Sequence, residues 1–384
     1  LESAVFRRLA LRVAALAVIA LGQVGCQHIG PKTIVADRVP YNEALATSWK
    51  EQTLLNIVKM RYADTPFFVD VAAITSGYAK SNSASANFSY AQAISPEMTF
   101  RERIGALFGY QTAFEDRPTI SYAPQTGAEF IRHLSAPIAP KNLLYLIQSG
   151  YDAEMVVELL VDSINGINNS IVRSDRRQDA DPRFRTFLKF LKNAQLSGNL
   201  GMRVEEDKNK SEVVVIFFRD KNISPEQLAE LNDVRKLFGL KADQSEFKVV
   251  FGATPKTDTE IAIMSRSLLR SFNVLSLSVE VPECHLLDGR APAIELEARP
   301  SAGFADGNVH LDTPAASPAT RLVVHSAPKK PSDCFAAIEY RGYWFWVDDR
   351  DPVSKRYFQF LMGILAQADT SVREPLPLVT IRAN

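Results

Sequence analysis

Cysteine is scarce in this chain: three in 384 residues, at positions 26, 284 and 334. That is too few for a disulfide-built scaffold and too scattered for a zinc module, whose ligands come in close pairs. Histidine is sparse as well. The five (His28, His133, His285, His310 and His325) never fall within helical reach of one another. Net charge is missing: 44 basic residues balance 44 acidic ones, so no global field draws nucleic acid or anionic lipid. No apolar run reaches the roughly 20 residues that a spanning helix needs. The G-x-S-x-G elbow, H-E-x-x-H, the Walker loop and G-x-G-x-x-G are all absent, and no repeat or heptad run is found. What is present is ordinary globular composition, 46% apolar and 23% charged, over a length that suits about two domains.

The N-terminus is the most informative segment. Arg7, Arg8 and Arg12 precede the apolar stretch Val13 to Leu21, and Gly22-Gln23-Val24-Gly25 leads to Cys26. This is the order of parts in a secretory signal peptide. Small residues followed by cysteine resemble the lipobox of bacterial lipoproteins, whose cysteine is acylated and becomes the first residue after cleavage. The resemblance implies residues 1–25 as signal peptide and Cys26 as the lipidation site. With Gln27 where an inner-membrane lipoprotein of Gram-negative bacteria has Asp, it also implies an outer-membrane protein facing the periplasm. Two other readings of the same residues stay open: ordinary cleavage after Ala20, and an uncleaved anchor. Leu1 is read as a literally translated alternative start codon, with a fragment as the other possibility.

The fold class expected is α+β in two domains, a helix-rich N-terminal part and a mixed-sheet C-terminal α/β part. A tether over 26–40 leads into a helix-rich α+β domain over 41–169. Its elements are a helix from Tyr41 to Tyr62, strands at Phe67 to Ile74 and Thr119 to Tyr122, and an interrupted helical run from Gln125 to Ile167. Ser81 to Ser95 alternates small polar residues with Ala86, Phe88 and Tyr90, which suits an exposed hairpin. A charged linker over 170–182 precedes the second domain, 183–384. There Asp181-Pro182 and Ser224-Pro225-Glu226-Gln227 open helices. Thr257 with Glu260 suggests a third helix carrying Ile261, Met264, Leu268 and Phe272, followed by a strand from Leu275 to Val281. Residues 300–320, rich in Pro, Gly, Ala and Ser, read as a surface loop. Strands at Leu322 to His325, Phe335 to Tyr340 and Tyr343 to Val347, a helix from Pro352 and a last strand near Leu378 complete the chain.

Three stretches, Asp37 to Tyr62, Pro118 to Phe130 and Tyr340 to Phe358, resemble a family of uncharacterised proteobacterial lipoproteins. That likeness implies the lipoprotein reading and carries no activity, cofactor or catalytic residue.

Two candidate features remain. In Tyr343-Trp344-Phe345-Trp346 strand alternation sends both indoles to one face, either a docking or sugar-stacking platform or a buried layer. Cys284 and Cys334 are an even pair in an oxidising compartment, a candidate disulfide with two free thiols as the alternative. Asp348, Asp349 and Asp351 read as a helix start ahead of Pro352 rather than a metal site. The functional expectation is a lipid-anchored binding or assembly component of the envelope. Its partners would be the membrane, through the N-terminal lipid, and an envelope protein or glycan, with no nucleic acid and no cofactor. The rival is a periplasmic hydrolase assembled from scattered residues; enzyme activity is left open, leaning against.

Overall fold

The computed structural model describes residues 30–75, 77–86, 108–126, 128–173, 176–206, 212–219, 224–297 and 321–368. Cys26, His28 and His310, residues 87–95 of the hairpin, the 300–320 loop and the last strand lie outside them. The fold is α+β. The chain divides into two compact units, one of residues 1–47 and 69–124, the other of 48–68 and 125–384.

In the first unit a β-ribbon dominates. Helix α1 (Gly30–Arg61) begins here and continues through Pro40, ahead of the expected start at Tyr41. Strand β1 (Phe68–Thr75) pairs with β4 (Thr119–Gln125), and β2 (Tyr78–Ala86) pairs with β3 (Phe108–Asp116). Between the two pairs the Arg117 N–H donates to the Gly77 carbonyl at 2.9 Å, so the segments follow one another along a single ribbon.

The second unit has a dense core. The last turns of α1 bury Leu54, Ile57 and Val58, and Tyr62 follows them inward. Buried Asn56 holds the segment after the helix: its amide donates to the Phe67 carbonyl and accepts from the Phe67 N–H, at 3.0 and 2.9 Å. Helices α2 (Ala128–Ser135), α3 (Pro140–Gln148) and α4 (Ala153–Leu160) come next. Where the helical run was expected to continue, the chain turns into β5 (Val161–Ile164) and β6 (Ile167–Asn168). Val161, Ile164 and Ile167 are buried, and burial on both faces leaves no period to distinguish strand from helix.

The charged stretch expected as a linker is built into this unit. Ile171–Arg173 (β7) and Arg176–Gln178 (β8) form a small sheet with β13 (Glu295–Leu296). Asn169 and Ser170 are buried beside them. The Phe184 side of α5 (Pro182–Leu196) belongs to the same core as Leu143 and Leu159, so the boundary expected at 170–182 is replaced by the division at 47, 69 and 124. Asp181 caps α5 as expected, accepting from the Arg183 N–H.

Strands β9 (Leu200–Glu206) and β10 (Glu212–Phe218) lead to α6 (Pro225–Leu237), whose reciprocal capping box joins Ser224 and Gln227. The expected third helix is corrected: Glu260–Ser265 is strand β12, parallel to β11 (Glu246–Phe251). Glu260 does cap, but it accepts the Lys256 N–H of a loop. The helix starts later, at α7 (Leu268–Ser276) with Ser267 as N-cap. It ends at Ser276, so the expected strand from Leu275 to Val281 is reduced to an isolated parallel bridge between Val279 and Val324, and the short α8 (Glu283–Leu287) follows. The sheet order is β6-β5-β12-β11-β10-β9.

Arg266, fully buried, ties the centre together. It reaches Asp162 at 2.8 Å and the carbonyls of Glu158, Leu159 and Ser170 at 2.9, 3.1 and 2.6 Å. A buried cation is tolerable when paired and bonded in this way.

Candidate functional site

A three-stranded sheet close to the C-terminus carries the residues singled out by sequence. Its order is β14 (His325–Ala327), β16 (Tyr343–Asp348) and β15 (Cys334–Tyr340), all antiparallel. The β15–β16 hairpin closes through Arg341 and Gly342 at φ 52° and 83°. Two successive left-handed residues make the tight turn whose twist suits a hairpin. The expected strand pair and turn are both present.

Alternation then divides the aromatic run. Phe345 and Val347 are fully buried, covered by α9 (Pro352–Ala368), which contributes Phe358, Leu361 and Leu365 to the same core. Tyr62 also packs edge-on against Phe345, with ring centres 6.0 Å apart. Trp344 and Trp346 occupy the opposite face and are half-buried. The register sets Ala327 and Glu339 beside Trp344, and His325 and Ala337 beside Trp346.

This face holds both charge and aromatic surface. Lys330 Nζ lies 4.9 Å from the centre of the Trp344 ring, a cation–π distance. The His325 ring stacks obliquely on Trp346 at 5.4 Å, and its Nδ1 lies 3.1 Å from Glu280 Oε2. The combination can stack on a planar or sugar surface while offering a cation, a carboxylate and an imidazole to its polar groups. His133 lies on α2, away from this sheet in sequence and element.

The acidic run beyond β16 has the expected helix-start roles. Asp351 Oδ1 accepts from the N–H groups of Val353 and Ser354 at 2.9 and 3.1 Å. Asp349 is held by Lys355 at 2.7 Å, and that ammonium keeps its carboxyl below the usual range. Arg350 pairs with Asp333.

Cys284 and Cys334 are both free thiols. Cys284 Sγ lies 3.3 Å from the Tyr343 hydroxyl, whereas Cys334 pairs with Asp348 in the strand register and points its thiol to the Pro331 carbonyl. Tyr343 and Asp348 are opposite ends of β16, separated by about 17 Å at ~3.3 Å per residue. The disulfide raised on cysteine count is therefore not made in this structure.

One buried cluster escaped the sequence reading. His285 is fully buried, and its Nδ1 meets the Tyr62 hydroxyl at 2.6 Å, while its Nε2 has no partner among the described residues. Burial, assisted by Arg290, lowers the pKa of His285, and burial pushes Tyr62 up to about 12. Both groups are neutral near pH 7, enclosed by Tyr343 with ring centres 4.9 Å from the imidazole. The partners lie 223 residues apart, and only the Cys284-His285 pair hinted at a polar site.

A second cluster surrounds α4. Glu154 is held by Arg321 and by Lys192 at 3.4 Å. Glu158, one turn on, accepts from the Tyr357 hydroxyl, and burial raises its pKa. Glu158 thus ties α4 to α9, and Glu154 ties α4 to Lys192 of α5 and to Arg321.

Comparison with protein-family models, curated proteins and solved structures finds no match.

Proposed function

We propose that this chain is a lipid-anchored, periplasm-facing lipoprotein of the outer envelope, acting as a non-enzymatic binding or assembly component. The observation that carries the binding role is the half-buried Trp344–Trp346 face, set opposite a fully buried one. Anchoring is supported by the Arg-rich, apolar and small-residue order that ends at Cys26. The ligand would be an envelope protein or a glycan, recognised through the indoles with Lys330, Glu339 and the His325–Glu280 pair around them.

Two variants test the parts separately. Cys26→Ser should abolish labelling by palmitate and release the protein from the membrane fraction; equal labelling would remove the anchor from the proposal. Trp344→Ala should weaken retention on isolated envelope material by about 2 kcal/mol, as interface tryptophans often do. Unchanged retention would retire the indole face. The hydrolase alternative would need the His325–Glu280 pair as its base, and His325→Ala should then abolish turnover of an ester or glycoside substrate.

A further inference from the structure

Helix α8 docks on the second unit with little apolar surface to hold it. Among residues 282–296 only His285 and Ala291 are buried, at 0% and 2% exposure. Leu286 and Leu287, the two leucines of α8, are 38% and 80% exposed. A segment with so few buried apolar contacts opens at low cost. Its further ties are polar. Arg61 donates to the Pro292 carbonyl at 2.7 Å, Arg341 donates to the Arg290 carbonyl at 3.2 Å, and Cys284 meets the Tyr343 hydroxyl. The side chain that plugs α8 into the fold is therefore an imidazole.

The surroundings of that ring suit its neutral form alone. Nδ1 meets the Tyr62 hydroxyl at 2.6 Å, and Nε2 has no partner among the described residues. An imidazolium would carry a second buried N–H there with nothing to receive it. The end of α1 brings Arg61, Tyr62 and Asp64 to this region, and the hairpin turn brings Tyr340, Arg341 and Tyr343. The segment itself supplies Cys284, Asp288 and Arg290. Three of these groups are arginines, and both carboxylates are already engaged. Asp64 pairs with Arg341 and Asp288 with Arg290, each at 2.9 Å, and the Tyr340 hydroxyl also donates to Asp64. No free anion is left to offset a charge on the ring. Burial first, then Arg290, accordingly lowers the pKa of His285.

We propose that His285 makes α8 an acid-operated latch: on protonation the segment 283–292 leaves Tyr62 and the β15–β16 turn, opening both tyrosines, Tyr62 and Tyr343, to water while the rest of the unit stays folded. The released imidazole accepts a proton that the docked one refuses, and this difference drives the opening. The docked form is fully favoured above about pH 6.5, the ordinary histidine value, and loses ground as pH falls. At pH 5 the open population rises by up to about thirtyfold, the protonation factor of a solvated histidine. The latch needs neither the lipid anchor nor the indole face.

The experiment is hydrogen exchange of the full chain across pH 5 to 7, corrected for intrinsic rates and read by mass spectrometry. The N–H groups of Asp288, Arg290 and Ala291 bond to the Cys284 and His285 carbonyls and report on the segment. Their protection should fall about tenfold or more between pH 7 and pH 5. Amides of β12 should stay about a hundredfold better protected at both values, which marks the opening as local. His285→Gln takes up no proton, and its protection at the two pH values should agree within about twofold. Arg290→Gln removes a facing cation and frees Asp288 for the imidazolium, so the midpoint of the loss should move down by about half a pH unit. His325→Gln should behave as the wild type. Equal protection of the wild-type segment at both pH values overturns the latch, and so does protection of the segment equal to that of β12. A loss that persists in His285→Gln, a midpoint that stays or rises in Arg290→Gln, or a loss abolished by His325→Gln overturns it as well.

Discussion

Two antiparallel hairpins in this molecule begin from similar sequence material and meet different fates. In β15–β16 the aromatic run is divided by alternation, and one face is closed by α9 and by Tyr62 from the end of α1. In β2–β3 the two strands pair in register from Tyr78↔Asp116 to Ala86↔Phe108, and among the described residues neither gains a third strand. Alternation decides which residues share a face. Whether that face becomes core depends on what the rest of the chain brings to it, which no short window of sequence contains.

The comparison is most easily broken at the covered face. Phe345→Ala should cost about 3–5 kcal/mol of stability, as large-to-small changes of buried aromatics do. Urea unfolding would measure it, and a cost under about 1 kcal/mol would mean that this face is not the core of its sheet.

Next comes the histidine that the covered side encloses. The folded pKa of His285 is lowered relative to its unfolded value, first by burial. The unfolded chain therefore binds more protons as pH falls below about 6.5, the ordinary histidine value. Stability should be full above that pH and decline on acidification through the folded pKa. His285→Gln should flatten this part of the profile when melting midpoints are compared between pH 7 and pH 5. An unaltered slope would show that other groups cause it.

A smaller effect is expected where α9 begins. Asp351→Ala removes acceptors for two N–H groups at the first turn and should cost about 1 kcal/mol. Since α9 is the cover of the aromatic hairpin, the loss should appear in the same unfolding transition as Phe345→Ala. The smallest effect belongs to the ribbon. Tyr122 on β4 is 65% exposed, and Tyr122→Ala should change unfolding of the cored unit by less than about 0.5 kcal/mol. A larger change would show that the ribbon is supported in the way the aromatic hairpin is.

How much could be read from sequence follows from how local each signal is. The β15–β16 hairpin, α9, α5 and the Ser224 capping box were all legible. Their determinants are neighbours: a glycine turn, an Asp-Pro start, a serine three residues before a glutamine. Strand β12 was misread because Thr257 and Glu260 imitate a capping box, while Ile261, Ala262 and Ile263 are buried regardless of face. A central strand of this kind lacks the period of two that marks an edge or half-buried strand. The start of α1 was missed because Pro40 reads as a boundary, yet the helix continues through it. At the candidate site both indoles were found by alternation. Lys330, His325 and Glu280 gather around them through β14, whose place beside β16 sequence could not assign.

The pairing of β12 with β5 has a consequence in time. Ile263 lies opposite Ile164, and Arg266 bonds back to Asp162, about a hundred residues apart. Because such distant partners must meet before the sheet has a centre, loop-closure entropy delays its formation. A ribosome working from the N-terminus would have released about two thirds of the chain before this unit could close. Over that interval the emerging chain is open and suited to threading in an extended state, and equally exposed to aggregation unless a holding factor meets it.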